Sequence, residues 1–497
     1  MQPTATPTPF PFLPRPTPLI FERSKPGRGG TKVPKPIAAK RLADCVRPAA
    51  LRKDPPRLPE VPEFEVMRHY VELSLKNHHV DRAMYPLGSC TMKYNPKVNE
   101  DMARLPGFAA LHPFAPDVAC QGALRLIHTL AEWLKDISGM DAITLQPAAG
   151  AQGEMTGIFL IAAYHRARGD TARKTVIIPD SAHGTNPATA ALAGFTVKAI
   201  KSDARGQMDL ATLKAALGPD TAALMLTLPN TVGRFETEVT EIAKLVHGAG
   251  ALLYVDGANM NALMGKVRPG DCGADAMHFN LHKTFSTPHG GGGPGSGPVA
   301  VKQHLEPFLP VPLVVRTADR YYREWDRPQS IGKLHGYFGN FGMMVRAYTY
   351  ITMLGREGIG ATADAAVLNA NYLAARIEAK YPMPYGRGMH ECVATGTPFK
   401  DKYGVKTLDI AKRLLDHGFH APTVYFPLIV HEALMIEPTE TATKEELDRF
   451  ADALLTIAEE AEQTPDLVTG APHVTPVNRF DEAAAARNPN VRYAFGG

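Results

Sequence analysis

Three short stretches carry residue types that can do chemistry together. Asp256 stands in the run Tyr254-Val-Asp-Gly-Ala-Asn259, Lys283 stands in His278-Phe-Asn-Leu-His-Lys-Thr284, and Gly150-Ala-Gln-Gly153 opens an apolar helical run near Glu154. An amine, a carboxylate and a glycine turn at a helix start are what a pyridoxal cofactor asks of a protein. The amine takes its aldehyde, the carboxylate keeps its ring nitrogen protonated, and the turn receives its phosphate. Free N–H groups and about half a positive charge of helix dipole suit that last role, with Ala151 and Gln152 as the residues meeting the phosphate.

Each piece alone has an ordinary reading. An Asp at a strand end caps helices and forms turns, a Lys after a strand is usually solvated, and Gly-Ala-Gln-Gly is a common strand-to-helix loop. Their order, phosphate loop, then Asp, then Lys, matches fold-type I pyridoxal enzymes but leaves a purely structural arrangement open. His183, in Ser181-Ala-His-Gly-Thr-Asn186, adds a flat imidazole that can stack on a pyridine ring. Ala258 is small enough to let a ring pack against its strand end, and the pair His282–Lys283 resembles the His-Lys dipeptide of many pyridoxal-dependent decarboxylases.

These residues need a frame that brings distant segments together. Short β-branched or apolar runs stand at 175–179, 196–200, 222–228, 251–255 and 276–279, with helical patterns at 155–168, 210–217 and 238–247 between them. Strands separated by helices of this length imply βαβ crossovers and a mostly parallel, buried sheet. Ligands of such sheets lie beyond the strands' carboxyl ends, which selects 180–184, 229–233, 256–259 and 280–283. The reading is a large α/β domain at 126–330, preceded by a Pro-rich arm at 1–60 and a helical segment at 61–125. A smaller α+β domain follows at 331–497, with helical patterns at 341–354, 361–379, 408–417 and 444–461 and strands at 389–394 and 428–436. Gly290-Gly-Gly-Gly-Pro-Gly-Ser-Gly297 reads as a loop lining the site, since glycine lets backbone approach a ligand closely.

Composition narrows the class. The chain has 497 residues, 44% hydrophobic, with 54 basic against 50 acidic residues. Near-balanced charge without a dense basic block argues against a nucleic-acid surface. No apolar run reaches membrane-spanning length, and 1–18 lacks the apolar core of a signal peptide. Five scattered cysteines (Cys45, Cys90, Cys120, Cys272, Cys392) without a CxxC pair suit a reduced, cytoplasmic chain with no bound metal.

Six strings resemble the glycine decarboxylase P-protein family, in the family's order. They are Pro86-Leu-Gly-Ser-Cys-Thr-Met-Lys93, Gln146-Pro-Ala-Ala-Gly-Ala-Gln-Gly153, Ser181-Ala-His-Gly-Thr-Asn-Pro187, Asn280-Leu-His-Lys-Thr-Phe285 with Pro288-His-Gly-Gly-Gly-Gly-Pro294, Gly418-Phe-His-Ala-Pro-Thr423, and Glu437-Pro-Thr-Glu440. The resemblance implies an aspartate-aminotransferase-like, fold-type I enzyme with pyridoxal 5'-phosphate on Lys283. It also implies glycine as substrate, carbon dioxide as product and transfer of the aminomethyl group to the lipoyl arm of H-protein, an activity counted among the oxidoreductases. P-proteins of full length are about twice this size, so the likeness is to the C-terminal, lysine-bearing half alone. That half resembles the second subunit of a split form, whose first subunit lacks the lysine, in a heterotetramer serving the same system as the T- and L-proteins. The arm, with Pro18-Leu-Ile-Phe-Glu-Arg-Ser-Lys-Pro26, resembles the start of such subunits and is expected to lie on the partner.

Within the implied site, Ser89, Thr91, Lys93 and His420 are candidates for the glycine and lipoyl approach, although the 86–93 turn reads equally well as an interface element. Cys90 reads as an inert buried thiol. No dedicated arginine for the glycine carboxylate stands out. Two rivals remain at this level: another fold-type I enzyme, such as an amino-acid decarboxylase, a lyase or a cysteine desulfurase, and a non-catalytic scaffold like the lysine-free half. Cys392, inside an expected strand, suits a desulfurase poorly, and the pair Lys283 and Asp256 argues against a scaffold.

Overall fold

The structure is a computed structural model that describes residues 16–30, 40–290, 293 and 295–495. The described chain divides into two compact units, one within Met1–His79 and Ala471–Gly497, the other Val80–Gly470. Both boundaries fall inside stretches that the sequence reading takes whole, 61–125 and 331–497.

In the smaller unit Thr17 and Arg23 of the Pro-rich arm lie on the helix Glu63–Leu75. Arg23 pairs with Glu72 at 2.8 Å, Thr17 Oγ1 donates to Glu72 at 2.7 Å, and Phe21 stacks on Tyr493 with ring centroids 4.7 Å apart.

The larger unit is built on a seven-stranded sheet. Its strands are β1 (Ala142–Thr144), β2 (Thr175–Pro179), β3 (Thr196–Ile200), β4 (Thr221–Thr227), β5 (Leu252–Asp256), β6 (Ala276–His278) and β7 (Val299–Val301), in the order β1-β7-β6-β5-β4-β2-β3. All run parallel except β7, which pairs antiparallel with both β6 and β1. The apolar strands owe their character to burial on both faces. Leu224 and Leu226 of β4 join Leu253 and Val255 of β5 in one core, whereas Ala223, Met225, Leu252 and Tyr254 join the other. This is the period-two alternation of a strand, with both sides dry.

Helices cover both faces. Leu126, Leu130 and Leu134 of Gln121–Ser138 recur every fourth residue and face the first core, with Ile242 and Val246 of Val239–Gly248. Gln121–Ser138 ends at Gly139, whose φ of 71° closes the helix in the left-handed region. On the second face Gly150–Ala167 packs Ile158, Leu160 and Ile161. A hairpin follows the sheet, β8 (Leu313–Thr317) with β9 (Arg320–Glu324).

After it, one long helix spans Phe341–Ile377, interrupted at Gly355 (φ 64°, ψ −174°), where the sequence suggests two helices. A small antiparallel sheet then holds β10 (Cys392–Thr395), β11 (Thr423–Val424) and β12 (Ala433–Ile436) in the order β10-β12-β11, covered by Thr407–Asp416 and Lys444–Gln463. The strand expected over 428–436 begins only at Ala433, because Leu428 lies on an exposed turn at 85% exposure. Among the described residues no helix is long and apolar enough to cross a membrane.

Candidate active site

The carboxyl ends of β2, β4, β5 and β6 open onto one cavity of about 240 Å³, the site that the parallel topology selects. Lys283, Asp256, His183, Ala151, Ala258 and Ser89 all line it. Asp256 ends β5 with 3% of its surface exposed, and its Oδ1 accepts the N–H of Ala258 at 3.0 Å. Lys283 lies one crossover away, its Nζ donating to the carbonyl oxygen of Ser89 at 2.6 Å. His183 stands open at the cavity mouth, Nδ1 2.8 Å from Thr185 Oγ1, its ring edge-on to Phe426 at 5.6 Å. Surrounding protein still lowers its proton affinity.

At the phosphate turn the helix Gly150–Ala167 starts from Ala149 with no side-chain cap, so its first N–H groups are left for another acceptor. A Cβ on Gly150 would come within 2.7 Å of Asn280 Nδ2, so glycine there is what lets the turn approach the end of β6. Ala151 faces the cavity. The side chain of Gln152 turns back, Oε1 accepting the N–H of Ala148 at 2.7 Å, and so stiffens the turn.

Other sequence candidates stand behind the cavity rather than in it. Thr91 is buried on Glu437, its N–H donating at 3.1 Å and its Oγ1 at 2.8 Å. Lys93 Nζ is spent on the Thr284 carbonyl at 2.7 Å, Glu440 at 2.8 Å and Tyr350 Oη at 3.1 Å. His282 faces Ser296, Nδ1 accepting its N–H at 3.1 Å, and burial pushes it down to about 4. His420 packs against Tyr85 with centroids 4.1 Å apart and the rings tilted by 35°. Of the glycine-rich run, Gly291, Gly292 and Pro294 lie outside the described residues. Gly297 donates its N–H to Pro147 O at 2.9 Å and backs the phosphate turn, where a Cβ would meet Ala149 O at 2.3 Å.

The cavity also gathers residues that the sequence reading passes over. Glu154 lines it, accepting from Thr185 Oγ1 at 2.7 Å, and burial followed by the Asp256 charge raises its affinity for a proton. His278 presents Nε2 3.6 Å from Asp256 Oδ1, with Nδ1 2.6 Å from Tyr254 Oη. Glu391 and His390 enter from the start of β10, and Glu437 lies behind them. The only signals for these were a His-Glu pair at a strand start and the Glu437 string itself.

The residues fit a pyridoxal phosphate. Buried Glu154 Oε2, Thr227 Oγ1, His278 Nε2 and Asn280 Oδ1 around the cavity have no hydrogen-bond partner among the described residues, the condition of groups that await a ligand. The amine, the carboxylate and the uncapped helix start would then meet the three needs of the cofactor.

Residues 152–327 match the Aminotransferase class-V family model, and 362–472 match Glycine dehydrogenase, C-terminal domain. A probable glycine dehydrogenase (decarboxylating) subunit 2 of Halalkalibacterium halodurans is 57% identical over 96% of this chain and 98% of its own length. Its namesake in Exiguobacterium sibiricum is 58% identical over 96% and 97%. The chain belongs to the glycine dehydrogenase (decarboxylating) subunit 2 family. Of solved structures, glycine decarboxylase (P-protein) of the glycine cleavage system superposes with a TM-score of 0.71 at 21% identity, over 84% of this chain and 94% of that one. A sphingosine-1-phosphate lyase of Burkholderia pseudomallei gives 0.60 at 16%, over 85% and 98%. Both likenesses show the fold that this subunit 2 family member adopts, a fold-type I pyridoxal-enzyme architecture.

Proposed function

We propose that this chain is the pyridoxal-phosphate-dependent, lysine-bearing subunit that decarboxylates glycine and passes the aminomethyl group to the lipoyl arm of H-protein. The observation that carries it is Lys283 and Asp256 lining one cavity beside an uncapped helix start, in a member of the subunit 2 family. Its partners are a lysine-free subunit 1 in a heterotetramer, lipoylated H-protein, and the T- and L-proteins, in the cytoplasm. Residues 126–330 hold the cofactor.

When bound, the cofactor supplies an aldehyde for an amine and a pyridinium ring that takes up the electron pair released as carbon dioxide leaves. Lys283 would provide the amine at Nζ, and the Ser89 carbonyl accepts its N–H when that amine is free. Asp256 would hold the proton at the ring nitrogen, while its Oδ1 accepts the N–H of Ala258. The free N–H groups of Gly150, Ala151 and Gln152 and the helix dipole would bind the phosphate. Low dielectric favours loss of the carboxylate, because a charge there is poorly solvated.

Two measurements test this. The protein loaded with pyridoxal phosphate is expected to show an absorbance band lost in Lys283→Ala, and a colourless wild type would overturn the reading. Labelled bicarbonate is expected to exchange into the carboxyl group of glycine when H-protein and subunit 1 are both present. No exchange in any combination removes glycine as substrate, and exchange without subunit 1 removes the need for that partner.

A further inference from the structure

Among the described residues, the cavity wall holds three carboxylates, three imidazoles and one cation, Lys283, with no arginine. Lys283 is committed to the cofactor. The carboxylate of a bound amino acid therefore needs a neutral hydrogen-bond donor.

Glu391 meets that need. It lies 4% exposed in the cavity wall, and its Oε2 accepts the N–H of Ser89 at 3.0 Å. One ligand atom from each of Glu391, Glu437 and His390 lies within 4.8 Å of the others. Two carboxylates this close in a dry site hold one charge between them. Glu437 has the donors to keep it: Thr91 N–H at 3.1 Å, Thr91 Oγ1 at 2.8 Å and Asn259 Nδ2 at 2.8 Å. Those contacts occupy both of its oxygens, which leaves the trio poorly suited to bind a metal. His390 does not take the proton, since burial and then the Lys283 charge push it down to about 3. Burial, followed by the Glu437 charge, raises the proton affinity of Glu391. Burial raises the proton affinity of Glu437 too, but the bonds from Asn259 and Thr91 oppose it there, so the proton the pair shares belongs on Glu391.

Resting on the glycine reading, we propose that Glu391 is a further catalytic residue, the group that receives the substrate's α-carboxylate by donating its carboxyl proton to it in a hydrogen bond. A neutral donor holds a carboxylate less firmly than a bidentate guanidinium. That is an advantage here, since binding lost when carbon dioxide departs is binding that raises the barrier. Glu437 behind it keeps the proton in place, and the turn that Glu391 holds at Ser89 meets Lys283.

The test compares glycine with methylamine, which has the amine and lacks the carboxylate, on cofactor-loaded protein with subunit 1 present. Dissociation constants come from the cofactor spectrum, with thermal midpoints taken alongside. Glu391→Ala is expected to weaken glycine on the order of 10- to 100-fold, the worth of one charge-assisted hydrogen bond, and to leave methylamine within about 2-fold. Glu391→Gln, which keeps a donor, is expected to hold glycine within a few-fold of wild type. Wild type should also lose glycine affinity as pH rises and Glu391 ionises, opposed by Glu437 and favoured by Lys283 with Cys90 and Cys392 alongside, more steeply than Glu391→Gln. Equal loss of glycine and methylamine in Glu391→Ala would show that the residue only shapes the pocket. Loss in Gln as large as in Ala would show that its charge matters instead, and unchanged affinities would show no contact. Each of these overturns the proposal while leaving glycine as substrate. A wild type that binds methylamine and not glycine overturns the functional reading itself and this proposal with it.

Discussion

Lys93 Nζ stands 2.8 Å from Glu440 Oε1 with only 1% of the lysine side chain exposed. The pair joins the 86–93 turn to the segment after β12, and Tyr350 of the long helix contacts both partners, 3.1 Å from Lys93 Nζ and 3.2 Å from Glu440 Oε1. Burial works against the ammonium, yet Glu440 and Tyr350 outweigh it, so Lys93 holds its proton more firmly than an ordinary lysine. Its contribution to stability is therefore intact through the neutral range and is lost only as pH climbs through the raised value.

Removing one partner of a buried pair strands the other. Lys93→Ala is expected to cost about 3–5 kcal/mol, read as a fall in the unfolding midpoint of the larger unit. Glu440→Ala in the same background should recover part of that loss, because no lone carboxylate then remains. A double variant no better than the single one would show that Lys93 acts through its bonds to the Thr284 carbonyl and Asn261 instead.

How much of this was legible in the sequence depends on range. β2 and β3 stand at the expected residues and β4 to β6 within a residue or so, because a run of apolar side chains buried on both faces is a local signal. β1 and β7, three residues each, were not. The cavity's floor followed from strand order. Its wall did not: Glu391 meets Ser89 across 302 residues, through a turn seated on β12. Gly88 permits that seat, as its N–H donates to Met435 O at 3.3 Å and a Cβ there would come within 2.3 Å of Met435 Cγ. The 86–93 string was visible, but the roles of Thr91 and Lys93 as supports depend on partners far along the chain.

The strands that deliver Asp256 and Lys283 share a titrating clasp. Asp275, just before β6, accepts Leu253 N–H at 2.7 Å and lies 2.8 Å from His247 Nε2 and 3.3 Å from His304 Nε2. Burial opposes ionisation, but these bonds hold the carboxyl below its ordinary 3.8, and the bond to Asp275 holds His247 above its ordinary 6.5. The carboxylate's contribution is present above 3.8 and lost as pH falls through the depressed value. The imidazolium's is present below 6.5 and lost as pH rises through the raised value. Asp275→Asn should therefore cost most between those limits, about 1–3 kcal/mol, and less in alkali. Thermal midpoints of both proteins across pH 4–9, a range chosen about the ordinary values, check this; a pH-independent difference would mean that His247 adds nothing.

Behind Asp256 runs a chain of contacts that should govern how well it serves a ring nitrogen. Tyr254 and His278, neighbours on β5 and β6, share a hydrogen bond of 2.6 Å, and burial keeps the His278 ring neutral by lowering its proton affinity. With the phenol donating to Nδ1, the ring proton sits on Nε2, 3.6 Å from Asp256 Oδ1. Asp256→Asn is expected to keep the cofactor absorbance and lose on the order of 10²–10³ in kcat, the usual scale for one preorganised electrostatic contact. Tyr254→Phe leaves His278 free to change tautomer and should give a smaller loss, with thermal stability down by about 1–3 kcal/mol. If the phenol acts through Asp256, the two substitutions together will cost less than the sum of their separate effects on kcat. Additive losses would mean that the Tyr254–His278 bond only holds the two strands together.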